Sequence, residues 1–119
     1  MSLFNSDQYP KRGRSKKVAL AANKSVAVVF DQIVERWGVR HITAGSYPVH
    51  VGTSAADAAA LHEPLDYGES IERVSHEGAI YFETHATQAV DVVVWWTATN
   101  VGTDRLSGFS AGDITATTT

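Results

Sequence analysis

The chain has 119 residues and a net charge of −3, with 44% hydrophobic and 19% charged residues. That composition suits one small folded domain rather than a disordered or multidomain chain. The absence of cysteine excludes a disulfide framework, a thiolate nucleophile and any zinc site built on sulfur. No apolar run approaches the roughly 20 residues needed to span a bilayer, and no apolar core follows the N-terminal charges, so neither a membrane partner nor an export signal is expected.

Taken in chain order, the first segment is basic. Lys11, Arg12, Arg14, Lys16 and Lys17 are five of the ten basic residues, and Asp7 is the one acid before Val18. The segment carries about +4 and leaves about −7 on the remainder. Pro10, Gly13 and the lack of any apolar period predict a flexible basic arm over residues 1–17, able to reach about 55 Å when extended. It is expected to lie along an acidic protein surface; DNA contact and simple solubilisation are the alternatives, and sequence-specific nucleic-acid recognition is not expected because aromatics are not interleaved with the charges.

From Val18 the pattern changes to short apolar or alternating runs. "VALAA" (18–22), "SVAVVF" (25–30), "VRHITA" (39–44) and "YPVHV" (47–51) predict strands. Between them "DQIVERWG" (31–38) could form one helical turn capped by Asp31. The segment "TSAADAAALHE" is expected to be an irregular outward loop, a short helix after Ser54 being the alternative, marginal at that length unless packed. "SIERV" (70–74), "AIYFET" (79–84) and "AVDVVVWWTAT" (89–99) complete seven strands. The fold class predicted is all-β: an antiparallel β-sandwich or jelly-roll-like barrel over residues 18–100. Residues 101–119 form either a final edge strand, from "DITATTT", or a second flexible end, and an edge strand there could pair with a neighbouring subunit.

Candidate chemistry is sparse. His41, His50, His62, His76 and His85 form no H-x-H pair and no H-E-x-x-H helix, so no metal is predicted and the histidines are read as scattered surface or interface residues. No G-x-S-x-G elbow, phosphate-binding loop or Rossmann turn is present. The expectation is a chain with no enzymatic activity and no cofactor. Trp95 and Trp96 are adjacent, and in a strand they must face opposite sides, so one of them has to be covered by a loop, a partner or a sugar. Tryptophan and arginine are enriched at binding hot spots. A subunit contact through Trp95 or Trp37, with Arg36 or Arg40, follows.

The phrases "PVHVG" (Pro48 to Gly52) and "PLDYGES" (Pro64 to Ser70), within a run from Val18 to Thr99, resemble small β-sandwich virion proteins of tailed bacteriophages, of the capsid decoration or cement kind. Physically, Gly52 and Gly68 are expected to supply positive φ at a strand end and a turn, and Pro64 suits a strand entry. The resemblance implies a structural protein on the capsid surface, assembled in the host cytoplasm, that binds the major capsid protein or another virion protein. It also implies a homo-oligomer, with a trimer suggested by capsid symmetry. Tail, neck or head-fibre components, and a carbohydrate-binding module with an exposed tryptophan, are the alternatives. The residues expected to meet partners are Lys11, Arg12, Arg14, Lys16, Lys17, Trp37, Arg40 and Trp95.

Overall fold

The computed structural model describes residues 13–60, 63–98 and 113–118. The strands are β1 (Gly13–Leu20), β2 (Ser25–His41), β3 (Val49–Gly52), β4 (Pro64–Leu65), β5 (Ser70–Arg73), β6 (Glu77–Glu83), β7 (Val90–Ala98) and β8 (Ile114–Thr118), with one helix, α1 (Ala55–Ala59). All the pairings between them are antiparallel. The all-β fold read from the sequence, an antiparallel sandwich or jelly-roll-like barrel, is the fold observed, as a curled antiparallel sheet.

One strand organises the whole. β2 runs for 17 residues. Its first half, from Ser25 to Phe30, is flanked by β6 on one edge and β8 on the other. Its second half, from Val34 to His41, is flanked instead by β7 and β5. The register shifts between Val29 and Val34 on the β6 side and between Val34 and Arg36 on the β7 side. Such irregularities let a strand bend out of one sheet and into the next. The result is a sheet that curls over on itself: one layer in the order β4-β3-β6-β2-β8, the other in the order β1-β7-β2-β5.

The core lies between the layers. Val26, Val28, Phe30, Val49, Val51, Ile80 and Phe82 face inward from the first layer. Val18, Leu20, Trp37, Val39, Val92, Val94 and Trp96 face them from the second, all buried. The alternation of buried and exposed residues along β2 and β7 follows the period of two. The rings of Phe30 and Trp96 meet at 5.8 Å between centroids, within the range of favourable aromatic pairs.

Several expectations change. The segment Asp31 to Gly38 is strand, not helix, because Val34 and Trp37 are claimed by the core and both neighbouring edges of β2 are paired. The basic segment is not an arm as far as Lys17: from Gly13 onward it is β1, held along its length by β7. Residues 1–12 of the expected arm, Lys11 and Arg12 among them, lie outside the described residues. Of the tail, Ile114–Thr118 is an edge strand, and it pairs with the chain's own β2.

The alanine-rich segment is a helix rather than an irregular loop. Ser54 caps α1 by accepting a hydrogen bond from the Asp57 backbone N–H at 3.1 Å. Ala58 is buried, which supplies the packing that so short a helix needs. Gly68 has φ +86° as expected, but positive φ elsewhere belongs to Gly45 and Asn23, not to Gly52. Gly52 is glycine for a different reason: a Cβ there would lie 2.8 Å from the Ala58 backbone nitrogen and 3.0 Å from the Asp57 Cβ. Only a residue without a side chain lets α1 close onto the end of β3.

Candidate functional site

The outward face of the β1-β7-β2-β5 layer gathers the residues with the strongest binding chemistry. Ser15, Trp95, Gly38 and Glu72 stand in one cross-strand row, and Lys17, Val93, Arg40 and Ser70 in the next outward-facing row. Thr97 and Arg36 form a third. Because residues paired across neighbouring strands share a face, these side chains present a common surface.

Trp95 is the centre of it. Its indole lies across Gly38, where a Cβ would meet ring atoms at 2.1 to 2.5 Å. Gly38 is therefore buried although it sits on the outer face, and the indole, half-buried, is held against the backbone of β2 rather than projecting into solvent. Glycine in a strand interior gives up side-chain packing, and the close approach of the ring is what it provides in return. Arg36 and Arg40 are exposed, and neither forms an ion pair with an acid among the described residues. Lys17 is 3.9 Å from Asp91, with both side chains largely exposed, a pairing that adds little stability.

Of the residues expected to meet partners, Lys17, Arg40 and Trp95 are brought together on this face. Arg14 and Lys16 fall on the opposite parity of β1, that of Val18 and Leu20. Lys16 reaches across to Asp113 at 3.2 Å, where the Ile114 backbone N–H and then the Lys16 ammonium hold the aspartate below its usual range. Trp37 is a correction. Its side chain is 2% exposed and its indole N–H donates to the Ser75 hydroxyl at 3.2 Å. It is a core residue, because it faces the same side as Trp96 across the β2–β7 pairing. Gly38 was not singled out by sequence reasoning. The signal was available: a glycine between Trp37 and Val39, inside a stretch with strand character, marks a close approach.

Clefts among the described residues lie elsewhere, two of them carrying polar groups. One, of about 430 Å³, opens between the layers beside Trp37, Val51 and Ile71 and carries Asp57, Glu77 and the Arg73–Glu63 ion pair at 2.7 Å. The other, of about 380 Å³, is lined by His50, Glu83, Thr84 and His85, and Tyr47 stacks on His85 at its side with ring centroids 3.8 Å apart. Among the described residues no group of three or more His, Cys, Asp or Glu is placed to hold a metal ion. His41 is fully buried and satisfied. Its Nδ1 accepts from the Thr43 backbone N–H, so its Nε2 carries the proton and donates toward the Tyr47 carbonyl and the Ser46 hydroxyl.

His50 gives a pH dependence. Partial burial pushes it below its ordinary value of 6.5, opposed by the Glu83 carboxylate, which raises it. With the folded value the lower, the unfolded chain takes up the proton first as pH falls. The favourable contribution present above pH 6.5 is therefore lost on the way down through the folded value. The melting temperature is expected to drop between pH 7.5 and pH 5, and the drop to shrink in His50→Gln; an identical pH profile in the two proteins would assign it elsewhere.

No protein-family model and no curated protein matches this chain. Solved structures do resemble it. An uncharacterized conserved protein with a double-stranded beta-helix domain from Klebsiella pneumoniae is 11% identical, with a TM-score of 0.51, over 77% of this chain and 72% of that one. The polyketide cyclase RemF from Streptomyces resistomycificus is 16% identical, with a TM-score of 0.48, over 80% of this chain and 61% of that one. Ectoine synthase from P. lautus is 12% identical, with a TM-score of 0.48, over 89% of this chain and 66% of that one. The chain thus spans under two thirds of the two enzymes. At these identities the likeness is one of fold, the curled antiparallel sheet of a double-stranded β-helix.

The expectation that the chain has no enzymatic activity is corrected here. A cyclase and a synthase are among the solved structures similar to it. Catalytic groups on a strand scaffold come from separate strands and are recognised by geometry, so the lack of a contiguous motif did not exclude chemistry.

Proposed function

We propose that the chain is a binding and assembly protein that works through the outer face centred on Trp95. The observation that carries this reading is the indole laid over Gly38, with Arg36 and Arg40 exposed on the same layer. A large aromatic held in place by its own backbone loses little entropy on docking, and arginines beside it match an acidic partner surface.

The kind of surface rests on the turn phrases "PVHVG" and "PLDYGES". Their resemblance to virion accessory proteins supports a decoration protein on the outside of a tailed-phage head shell, acting as an oligomer and contacting the major capsid protein or another virion protein. Lys11 and Arg12, within residues 1–12, would add basic charge for such a partner.

The test is co-sedimentation of the full chain with undecorated head shells. Binding is expected to fall steeply in Trp95→Ala and in Arg36→Ala/Arg40→Ala, with the melting temperature nearly unchanged in the arginine variant. Removal of residues 1–12, which stops short of β1, is expected to weaken binding without unfolding the protein. Undiminished binding by the tryptophan and arginine variants would overturn the face as the docking site.

The flat indole favours one second reading, a carbohydrate platform, since sugars stack on aromatic faces held parallel to a sheet. Binding to an immobilised glycan panel that disappears in Trp95→Ala, with no affinity for shells, would select it.

A further inference from the structure

Among the described residues β1, β4, β5 and β8 stand at the edges of the two layers, and the first three are guarded. β1 carries Arg14, Lys16 and Lys17. β4 is two residues long and begins with Pro64. β5 is four residues long and contains Glu72 and Arg73. Lysine, proline, charge and shortness are the usual protections against edge-to-edge pairing. β8 carries no lysine, proline or other charge: its five residues from Ile114 to Thr118 read Ile-Thr-Ala-Thr-Thr and are rich in branched residues that favour strands. It pairs with β2 on one side, and among the described residues no strand pairs with it on the other.

Hydrogen-bond parity defines what that free edge offers. The Asp31 backbone N–H donates to the Asp113 carbonyl at 3.0 Å, so Asp113, Thr115 and Thr117 turn their main-chain groups toward β2 across the Asp31, Val29 and Ala27 positions. Ile114, Ala116 and Thr118 turn theirs away from β2, the Ile114 N–H donating to the Asp113 carboxylate at 2.8 Å and the others facing the edge. Beside this edge a groove of about 220 Å³ lies between β8 and β1, lined by Val18, Ala19, Ile114 and Ala116 with Lys16 and Lys17. Inner-face side chains of one more strand would enter it.

We infer that β8 is a self-complementary assembly edge that takes the β8 of a second copy of this chain, antiparallel and about a two-fold axis through Ala116. Ala116 then faces Ala116 of the second copy, the two exchanging a pair of main-chain hydrogen bonds. Ile114 faces Thr118, where the Ile114 carbonyl accepts from the Thr118 N–H while the Ile114 N–H stays with the Asp113 carboxylate. The second copy's Ile114 extends the apolar inner surface toward the groove. A like copy is the occupant because β8 is neutral along its length, so two of them meet without repulsion, whereas two β1 edges would bring three basic residues against three. The contact is isologous and closes at two subunits. It does not depend on the docking face around Trp95, which lies on the other layer.

The test is the solution mass of the full chain across a concentration series. With a subunit of 12.8 kDa, the unmodified protein is expected to reach twice that mass. Ala116→Pro removes only an outward N–H, since position 116 does not donate to β2, and is expected to abolish the dimer while keeping the strand circular dichroism. Ala116→Lys restores the missing guard and is expected to do the same, and it decides the matter where the proline variant fails to fold. A monomer at every concentration, a trimer, or a dimer undisturbed in folded Ala116→Lys would each overturn the inference. Because head-shell binding is measured separately, a failed dimer and a failed docking face give distinct results.

Discussion

Replacing Trp96 by alanine is expected to remove about 3–5 kcal/mol of stability, a large part of the roughly 5–15 kcal/mol that holds a domain of this kind together. Trp96 is 1% exposed, contacts Phe30 across the two layers and stands beside Trp37 in the β2–β7 register. Its removal opens a cavity where the layers are joined, and neighbours fixed on paired strands have little room to collapse into it. Urea unfolding is the measurement. Trp95→Ala is the contrast: one residue earlier in the chain and half-buried on the outer face, it is expected to cost about 1 kcal/mol, an ordinary single-mutation effect. Similar losses in the two variants would contradict the assignment of faces.

Gly38→Val is expected to be the most damaging change on the outer face. Even the first carbon of a side chain would fall 2.1 Å from the Trp95 ring, so the indole has to leave its bed or β2 has to shift. Overpacking of this kind typically costs about 1–3 kcal/mol. The indole exposed by the change should report itself as a red-shifted, more readily quenched component of the fluorescence, against the blue-shifted and shielded emission of the buried Trp37 and Trp96. The double variant Gly38→Val/Trp95→Ala is expected to recover stability, because the clash has one partner. No recovery would show that the glycine serves the backbone and not the ring.

The comparison of these two tryptophans also shows what could be read from the chain alone. Alternation along "AVDVVVWW" fixed that Trp95 and Trp96 part company, and the structure places Trp96 inside. It could not decide how Trp95 is accommodated, because that depends on Gly38, 57 positions earlier and adjacent only through strand pairing. Trp37 was misjudged for the same reason: its partner in the register, Trp96, and its hydrogen-bond acceptor, Ser75, are distant in sequence. The apparent break between "SVAVVF" and "VRHITA" was likewise a local impression. Asp31 and Glu35 interrupt the apolar pattern, yet a strand changing layers can show charge to solvent at the corner while keeping its hydrogen bonds. The alanine helix was underestimated because its stabilising contact, Ala58 against the end of β3, needs a glycine at 52 whose purpose a turn-based argument assigns to backbone geometry.

β2 also determines how the molecule can come apart. Its two halves hydrogen-bond to four different strands, two in each layer, so neither layer owns it. A layer that loosened alone would have to tear its share of the strand from a backbone still clamped by the other layer. Partial opening is thereby penalised, and the chain is built to respond to heat, denaturant or mechanical load as one unit. For a protein whose proposed task is to sit between larger bodies, this means that strain applied at the Trp95 face is carried through the continuous covalent backbone of a single strand to the layer that carries β8.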